Sequence, residues 1–334
     1  MGKVAIGHVA EAAGVSKTTI SNYFNAPEKI SPAVRARIGV AIETLGYVRS
    51  DAARQLRAGR STVIGYVVFE VGNTYFSDIA QAVEQRAAEA GLHVLIANNA
   101  ADRKRERAYL DLFAAQQVRG VIVAPLDNIE PQLETLRKRG IPSVMTGRKA
   151  ETSSQPSVSV DDALGGYLAA KHLIGRGCKS LAFVGGPLDL QQIHERLQGA
   201  AKAVGEAEDV VLEIHTVEER TVAAGRTAAA QLVNRPAAKI PDGIFAANDF
   251  LGIGLIDGIH KSTRLRVPND IAVIGFDDLD VAASGAVPLT TMHTPPFDYG
   301  RAIVELLLSE LGELPAPETR HIVFEPTLIQ RASS

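Results

Sequence analysis

Cysteine is nearly absent from this chain: among 334 residues only Cys178 carries a thiol. No internal disulfide can form, and a reducing cytosol is the natural setting for such usage. Tryptophan is missing and aromatics make up 5% of residues, so the core has to come from Ala, Val, Ile and Leu, as in α/β interiors. Long apolar runs are missing too. None approaches the ~20 residues of a membrane span, and the opening MGKVAIGHVAEAAGVSK lacks the apolar stretch of an export signal. A membrane protein and an exported binding protein are both disfavoured, and a cytoplasmic location is expected. The eight histidines show no ligand spacing with Cys178, so no metal site is expected. There is no HExxH, no GxxxxGKS/T and no GxSxG. GIGLIDG has two close glycines but follows AAND instead of opening a first βα unit, and it lacks the third glycine of a dinucleotide loop. Neither a cofactor nor catalysis is expected.

What is present is unevenly distributed. The length suits two or three compact units. Residues 1–60 hold nine Lys and Arg against four Asp and Glu, a net of +5, which leaves −8 for the remainder of a chain whose total is −3. A basic head on an acidic body is the pattern of a protein whose one end meets a polyanion; a basic face kept only for solubility is the alternative. The motif decides between them. Ile6, Val9, Ala10 and Ala13 recur at helical spacing, and Gly14 ends that helix. Ser16 is an N-cap for a second helix, Lys17 to Asn25, with Ile20, Tyr23 and Phe24 inward and Lys17, Thr18, Thr19, Ser21, Asn22 and Asn25 supplying short polar groups. Ser31-Pro32 announces a third helix ending near Leu45-Gly46, with Val34, Ile38, Ala41 and Ile42 inside. Two short helices about a glycine turn make a helix-turn-helix, whose second helix reads the major groove. An ordinary three-helix packing module is the bland alternative.

VAEAAGVSKTTISNYFN, ISPAVRARIGVAIETLGY and AARQLRAG, in that order and spacing, resemble the head of the LacI/GalR repressor family. The resemblance implies a hinge helix at residues 50–58 that orders on operator DNA, with Leu56 wedged into the minor groove and Ala53 beside it. Packing of the linker is the other role open to Leu56. Three features depart from the family: Asn22 stands where Arg is usual, which favours adenine; Arg49-Ser50 replaces Pro-Asn; Ala5 and His8 replace Thr and Asp at the first helix.

From Val63 onward short apolar runs alternate with amphipathic stretches. VIGYVVF, HVLIAN, GVIVAP and PSVMTG are buried-strand candidates, separated by helices over Asp78–Ala90, Arg103–Gln117 and Glu130–Arg139; SLAFVGG, VVLEIHT, GIFAAN and IAVIGF repeat the pattern. Such alternation predicts two parallel-sheet α/β lobes with a ligand cleft at the carboxyl ends of the strands. This region is similar to the ribose-binding-protein-like, type I periplasmic-binding core of LacI/GalR regulators. The resemblance implies a domain of residues 61–334, with one lobe of about 61–160 and 290–320 and another of about 161–289 and 321–331. It places Glu70, Asn73, Tyr75, Arg148, Asp162, Gln192, Arg196, Arg220, Asn248 and Asp277 on a small, sugar-like effector. Carboxylates, amides and guanidinium groups suit hydroxyls; capping a helix is the alternative for Asn248 and Asp277. Gly147, Leu190 and Thr294 depart from relatives of known effector type. Ala82, Val83 and Arg86, and the segment Leu251–Ile259, resemble the family's dimer faces, with ordinary packing on the sheet as the alternative, and a homodimer is expected. The function implied is a sequence-specific transcriptional regulator, most simply a repressor; the competing reading is a sugar-binding module without a regulatory role.

Overall fold

The computed structural model describes residues 4–47 and 61–334. The chain divides into a small unit, Met1–Ser61, and a large one, Thr62–Ser334. In the small unit α1 (Ile6–Ala12), α2 (Lys17–Asn25) and α3 (Pro32–Leu45) succeed one another closely. Gly14 and Gly46 take φ of +64° and +59° and let the chain turn away from α1 and α3, a conformation that costs glycine least. Ser16 Oγ accepts the Thr19 amide at 3.1 Å and so starts α2. Ser31 precedes Pro32 at the start of α3, but its side chain makes no capping bond. At α1 the missing capping residue is partly replaced, because His8 Nδ1 accepts the Ala5 amide at 3.2 Å. Val9, Ala10, Ala13, Ile20, Ile38 and Ala41 form the core, with Tyr23, Phe24, Val34 and Ile42 packed on it. Each larger member contributes about 1.5–3 kcal/mol by burial.

The large unit holds two sheets of six strands. The first combines β1 (Val63–Val68), β2 (His93–Asn98), β3 (Val121–Val123), β4 (Ser143–Thr146), β5 (Ser157–Val160) and β11 (His321–Phe324), all parallel, in the order β2-β1-β3-β4-β5-β11. The second combines β6 (Ser180–Gly185), β7 (Val211–Thr216), β8 (Gly243–Ala246), β9 (Ala272–Asp277), β10 (Thr290–His293) and β12 (Thr327–Ile329), in the order β7-β6-β8-β9-β10-β12, with only β12 antiparallel. The two orders are the same doubly wound pattern, whose direction reverses beside its first strand. Helices α4 (Thr74–Glu89), α5 (Arg103–Ala115), α6 (Glu130–Lys138) and α12 (Pro296–Glu310) cover the first sheet. The second is covered by α7 (Asp162–Gly175), α8 (Gln191–Gly205), α9 (Val222–Val233) and α10 (Asp249–Ser262), with the short α11 (Asp280–Ala283) after β9.

Several expectations need correction. Residues 290–293 lie in the second sheet and 321–324 in the first, the reverse of the lobes assigned to them. These are four-residue strands beside crossovers, so their apolar pattern does not show which sheet they join. HVLIAN and VVLEIHT are edge strands instead of buried ones, leaving Leu95, Ile96, Val211 and Ile214 about half exposed. Helix α4 begins at Thr74, four residues early, because Asn73 Oδ1 accepts the Tyr75 amide at 3.0 Å. Ala82 and Val83 are covered by α12, where Gly300 meets the Ala82 methyl, and Arg86 bonds Glu305 at 3.3 Å. Along Leu251–Ile259 the buried side is taken up by α9 through Gly225 against Gly254. Both faces expected at a dimer contact therefore pack largely within the chain.

Candidate functional site

Two sites carry chemistry, one in each unit. On α2, Ile20 is fully buried, while Lys17, Thr18 and Asn25 are exposed and Thr19, Ser21 and Asn22 half-buried. A 3.6-residue period puts Thr18, Ser21, Asn22 and Asn25 on the side away from Ile20. Tyr23 and Phe24 meet edge to face at 5.1 Å and hold the helix on its partners. The Lys17 stem passes over α1 at Gly7. Thr19 serves the helix start, its hydroxyl 2.9 Å from Ser16 Oγ, and Asn25 donates back to the Ser21 carbonyl at 2.8 Å. Ala53 and Leu56 lie outside the described residues.

In the large unit a cavity opens at the carboxyl ends of β1 and β6, where both strand orders reverse. Asn73, Tyr75, Asp162, Gln192, Arg196, Arg220, Asn248 and Asp277 all line it. Close helix packing places the centre of this group. A side chain at Gly166 on α7 would collide with the Arg196 carbonyl, and one at Gly199 on α8 with the Ala163 carbonyl. With neither present, α8 lies against α7 and Arg196 Nε reaches Asp162 at 2.7 Å. Arg196 Nη1 donates to the Ala247 carbonyl at 2.5 Å, with Asp277 at 3.8 Å, and the guanidinium stacks 3.5 Å from the Phe276 ring centre. Burial raises the Asp277 carboxyl to about 7 against the pull of Arg196, with Asp162 adding to the rise. Burial also raises Asp162, again opposed by Arg196.

Two expected residues stand elsewhere. Glu70 is at the mouth, 3.6 Å from Arg220, and lines a wider outer chamber instead of the inner wall. Arg148 does not line the cavity; it pairs with Glu151 at 3.4 Å. Gly147, at φ +80°, turns the chain so that its own backbone faces the cavity in place of the arginine. The inner wall also includes Tyr66, Phe69, Phe76, Thr146 and Tyr299, none of which was expected. Phe69 and Phe76 had a signal, being neighbours of strand end and helix start. Tyr299 had none: from α12 it accepts from Thr146 Oγ1 at 3.0 Å and the Gly147 amide at 2.8 Å and donates to the Val158 carbonyl at 2.7 Å. Where the chain crosses between the lobes, Thr294 Oγ1 donates to the Tyr75 hydroxyl at 2.9 Å.

Behind the cavity, wholly buried, sits Asp249. It accepts from Thr291 Oγ1 at 2.6 Å and from the Leu279 amide at 2.7 Å. Burial, then Asp277, push its carboxyl well above the usual range. Asp277 and Asp278 hold φ of +111° and +59°, each strained by about 1–3 kcal/mol. Asp249 grips the amide just after them, and Arg331 holds Asp278 at 2.5 Å. The Asp277 carboxyl is thus aimed by its surroundings.

Known proteins share both units. Residues 5–50 match the model of bacterial regulatory proteins, lacI family, and residues 170–334 that of a periplasmic binding protein-like domain. The HTH-type transcriptional repressor PurR of Vibrio atlanticus (strain LGP32) is 30% identical, with 98% of each chain covered. The ribose operon repressor of Escherichia coli (strain K12) is 28% identical over the same share of both. Among solved structures, a transcriptional regulator CelR–cellobiose complex superimposes with a TM-score of 0.72 at 29% identity, over 99% of this chain and 100% of that one. Matched from end to end by such relatives, the chain belongs to the lacI family of bacterial regulatory proteins and is a DNA-binding transcriptional regulator with an effector-binding body.

Proposed function

We propose that the chain is a cytoplasmic homodimeric repressor that holds a two-fold operator, and that a small sugar-like effector in the interlobe cleft sets the strength of that hold. Lys17, Thr18, Thr19, Ser21, Asn22 and Asn25 of α2 contact the major groove, and Leu56, beside Ala53, enters the minor groove between the two protomers. The effector is held by Asn73, Tyr75, Asp162, Gln192, Arg196, Arg220, Asn248 and Asp277, with Glu70 at the mouth. The working division is a head of residues 1–60 and a body of 61–334, its lobes exchanging chain near 161, 294 and 325.

One observation carries this reading: side chains from both lobes converge on a single cavity, Asn73 and Tyr75 from one and Asp162, Arg196, Asn248 and Asp277 from the other. A ligand touching both lobes favours the closed arrangement by its differential affinity, and the coupling is felt equally by DNA. Relatives named for a ribose operon and for a cellobiose complex favour a sugar.

Gel shifts of the intact chain and of a fragment beginning at residue 61, against genomic DNA fragments, test the reading. The intact chain is expected to select a site whose affinity changes with a sugar, and the fragment to bind none. Equal behaviour of both would leave a sugar-binding module without a regulatory role.

A further inference from the structure

Resting on the reading of the cleft as the effector site, we propose that the effector is uncharged: the cleft accepts a neutral polyhydroxy ligand and rejects its phosphorylated or carboxylated counterparts. Two guanidinium groups reach the inner wall, and both are already engaged. Arg196 is held by Asp162 and the Ala247 carbonyl, lies near Asp277 and is stacked on Phe276. Arg220 donates to the Gly186 carbonyl at 3.0 Å, stands 3.6 Å from Glu70 and lies 5.3 Å over the Phe69 ring. An arriving anion would have to draw Arg196 away and strand the buried Asp162, the costliest way to break such a pair, or compete at Arg220 with the half-exposed Glu70.

The count of charges points the same way. Asp162, Asp277 and Glu70 face Arg196 and Arg220, so carboxyl groups outnumber guanidinium groups three to two at the inner wall and its mouth. The outer chamber shares Glu70 and Arg220 and adds Asp189, Glu218 and Glu219 against Arg103. Arg103 is itself bound to Asp127 at 3.0 Å and approaches Asp189 at 3.7 Å. Exposure weakens these outer charges by screening, but they add to the inner majority of carboxyl groups.

Helix N-termini are the remaining source of positive potential. Of the four helices that begin at the cavity, α4, α7 and α10 have first-turn amides bonded to Asn73, Asp161 and Asn248. Only α8 starts without a side-chain cap, and its dipole, equivalent to about half a charge, faces the carboxyls of the cavity and of the outer chamber together. A hydroxyl meets the opposite situation. It donates to Asp162 or Asp277 and accepts from the amides of Asn73, Gln192 and Asn248, while Tyr75, Phe69 and Phe76 offer apolar faces to a ring carbon skeleton.

Thermal shift and calorimetry on the full-length protein test this with matched pairs: ribose and its phosphate ester, glucose and its phosphate ester, glucose and glucuronate, with cellobiose and hypoxanthine alongside. At least one neutral sugar is expected to raise the melting temperature and to bind more tightly than its anionic counterpart by about tenfold or more. Glu70→Gln is expected to narrow that ratio. An anionic member binding as tightly as its neutral partner would overturn the charge inference and leave the cleft assignment standing. A shift with hypoxanthine alone, or with none of the compounds, would instead remove the sugar reading and this inference with it.

Discussion

Asp277 shows how a single residue can carry both strain and function. Its left-handed backbone costs free energy, and the turn persists because Asp249 fastens the Leu279 amide and Arg331 the Asp278 carboxylate, both just beyond it in the chain. Asp249→Asn can keep both bonds, its oxygen accepting from Leu279 and its amide donating to Thr291; it is expected to retain effector response. Asp249→Ala leaves the Leu279 amide without its acceptor and is expected to cost about 1–3 kcal/mol and to weaken effector binding, which urea unfolding and effector titration would measure together. Asp277 also predicts a pH effect. With its pKa raised to about 7 from 3.8, the folded body holds a proton that the unfolded chain has lost between about pH 4 and pH 7. Its contribution to stability therefore falls as pH rises through that window. Asp277→Asn, uncharged throughout, should flatten this part of the slope in a series of denaturant midpoints against pH. Asp277 was legible in the sequence because it ends a strand in GFDD; Asp249 was not distinguished from its neighbour Asn248, because nothing local says which of two adjacent polar residues points back into the core.

At the scale of elements, the cavity depends on helices that touch at backbone distance. Gly166→Ala is expected to push α8 from α7, at a cost of about 1–3 kcal/mol. Arg196 should then lose its place beside Asp162, so effector affinity drops while DNA binding without effector is kept. Urea midpoints and parallel gel shifts would check both halves. The strand and helix series was readable from its periods, and the two sheets match those runs closely. What misled was neighbourhood. β2 and β7 have the same apolar content as central strands, yet each pairs on one side only and leaves its valine, leucine or isoleucine half exposed. Ala82 and Val83 looked free on α4 because α12, the helix that covers them, arrives some two hundred residues later.

For the whole molecule, the proposed coupling of effector to DNA gives the decisive role to residues 50–58, which lie outside the described residues. Leu56→Ala is expected to weaken binding to the operator far more than to unrelated DNA, since a minor-groove wedge acts where the duplex is bent and contributes little to general phosphate attraction. Equal loss on both DNAs in filter-binding or gel-shift titrations would sink the wedge. By itself the sequence determined the class of protein: the helix-turn-helix spacing and the tandem α/β alternation are local patterns set by hydrophobic period and turn chemistry, and eight of the cavity's polar residues followed from the family resemblance that those patterns carry. Only the tertiary structure decided where the lobes exchange chain, that Gly147 turns Arg148 away, and that Tyr299 and Asp249 support the cavity. Those outcomes depend on contacts between residues far apart in the chain, and no local period encodes them.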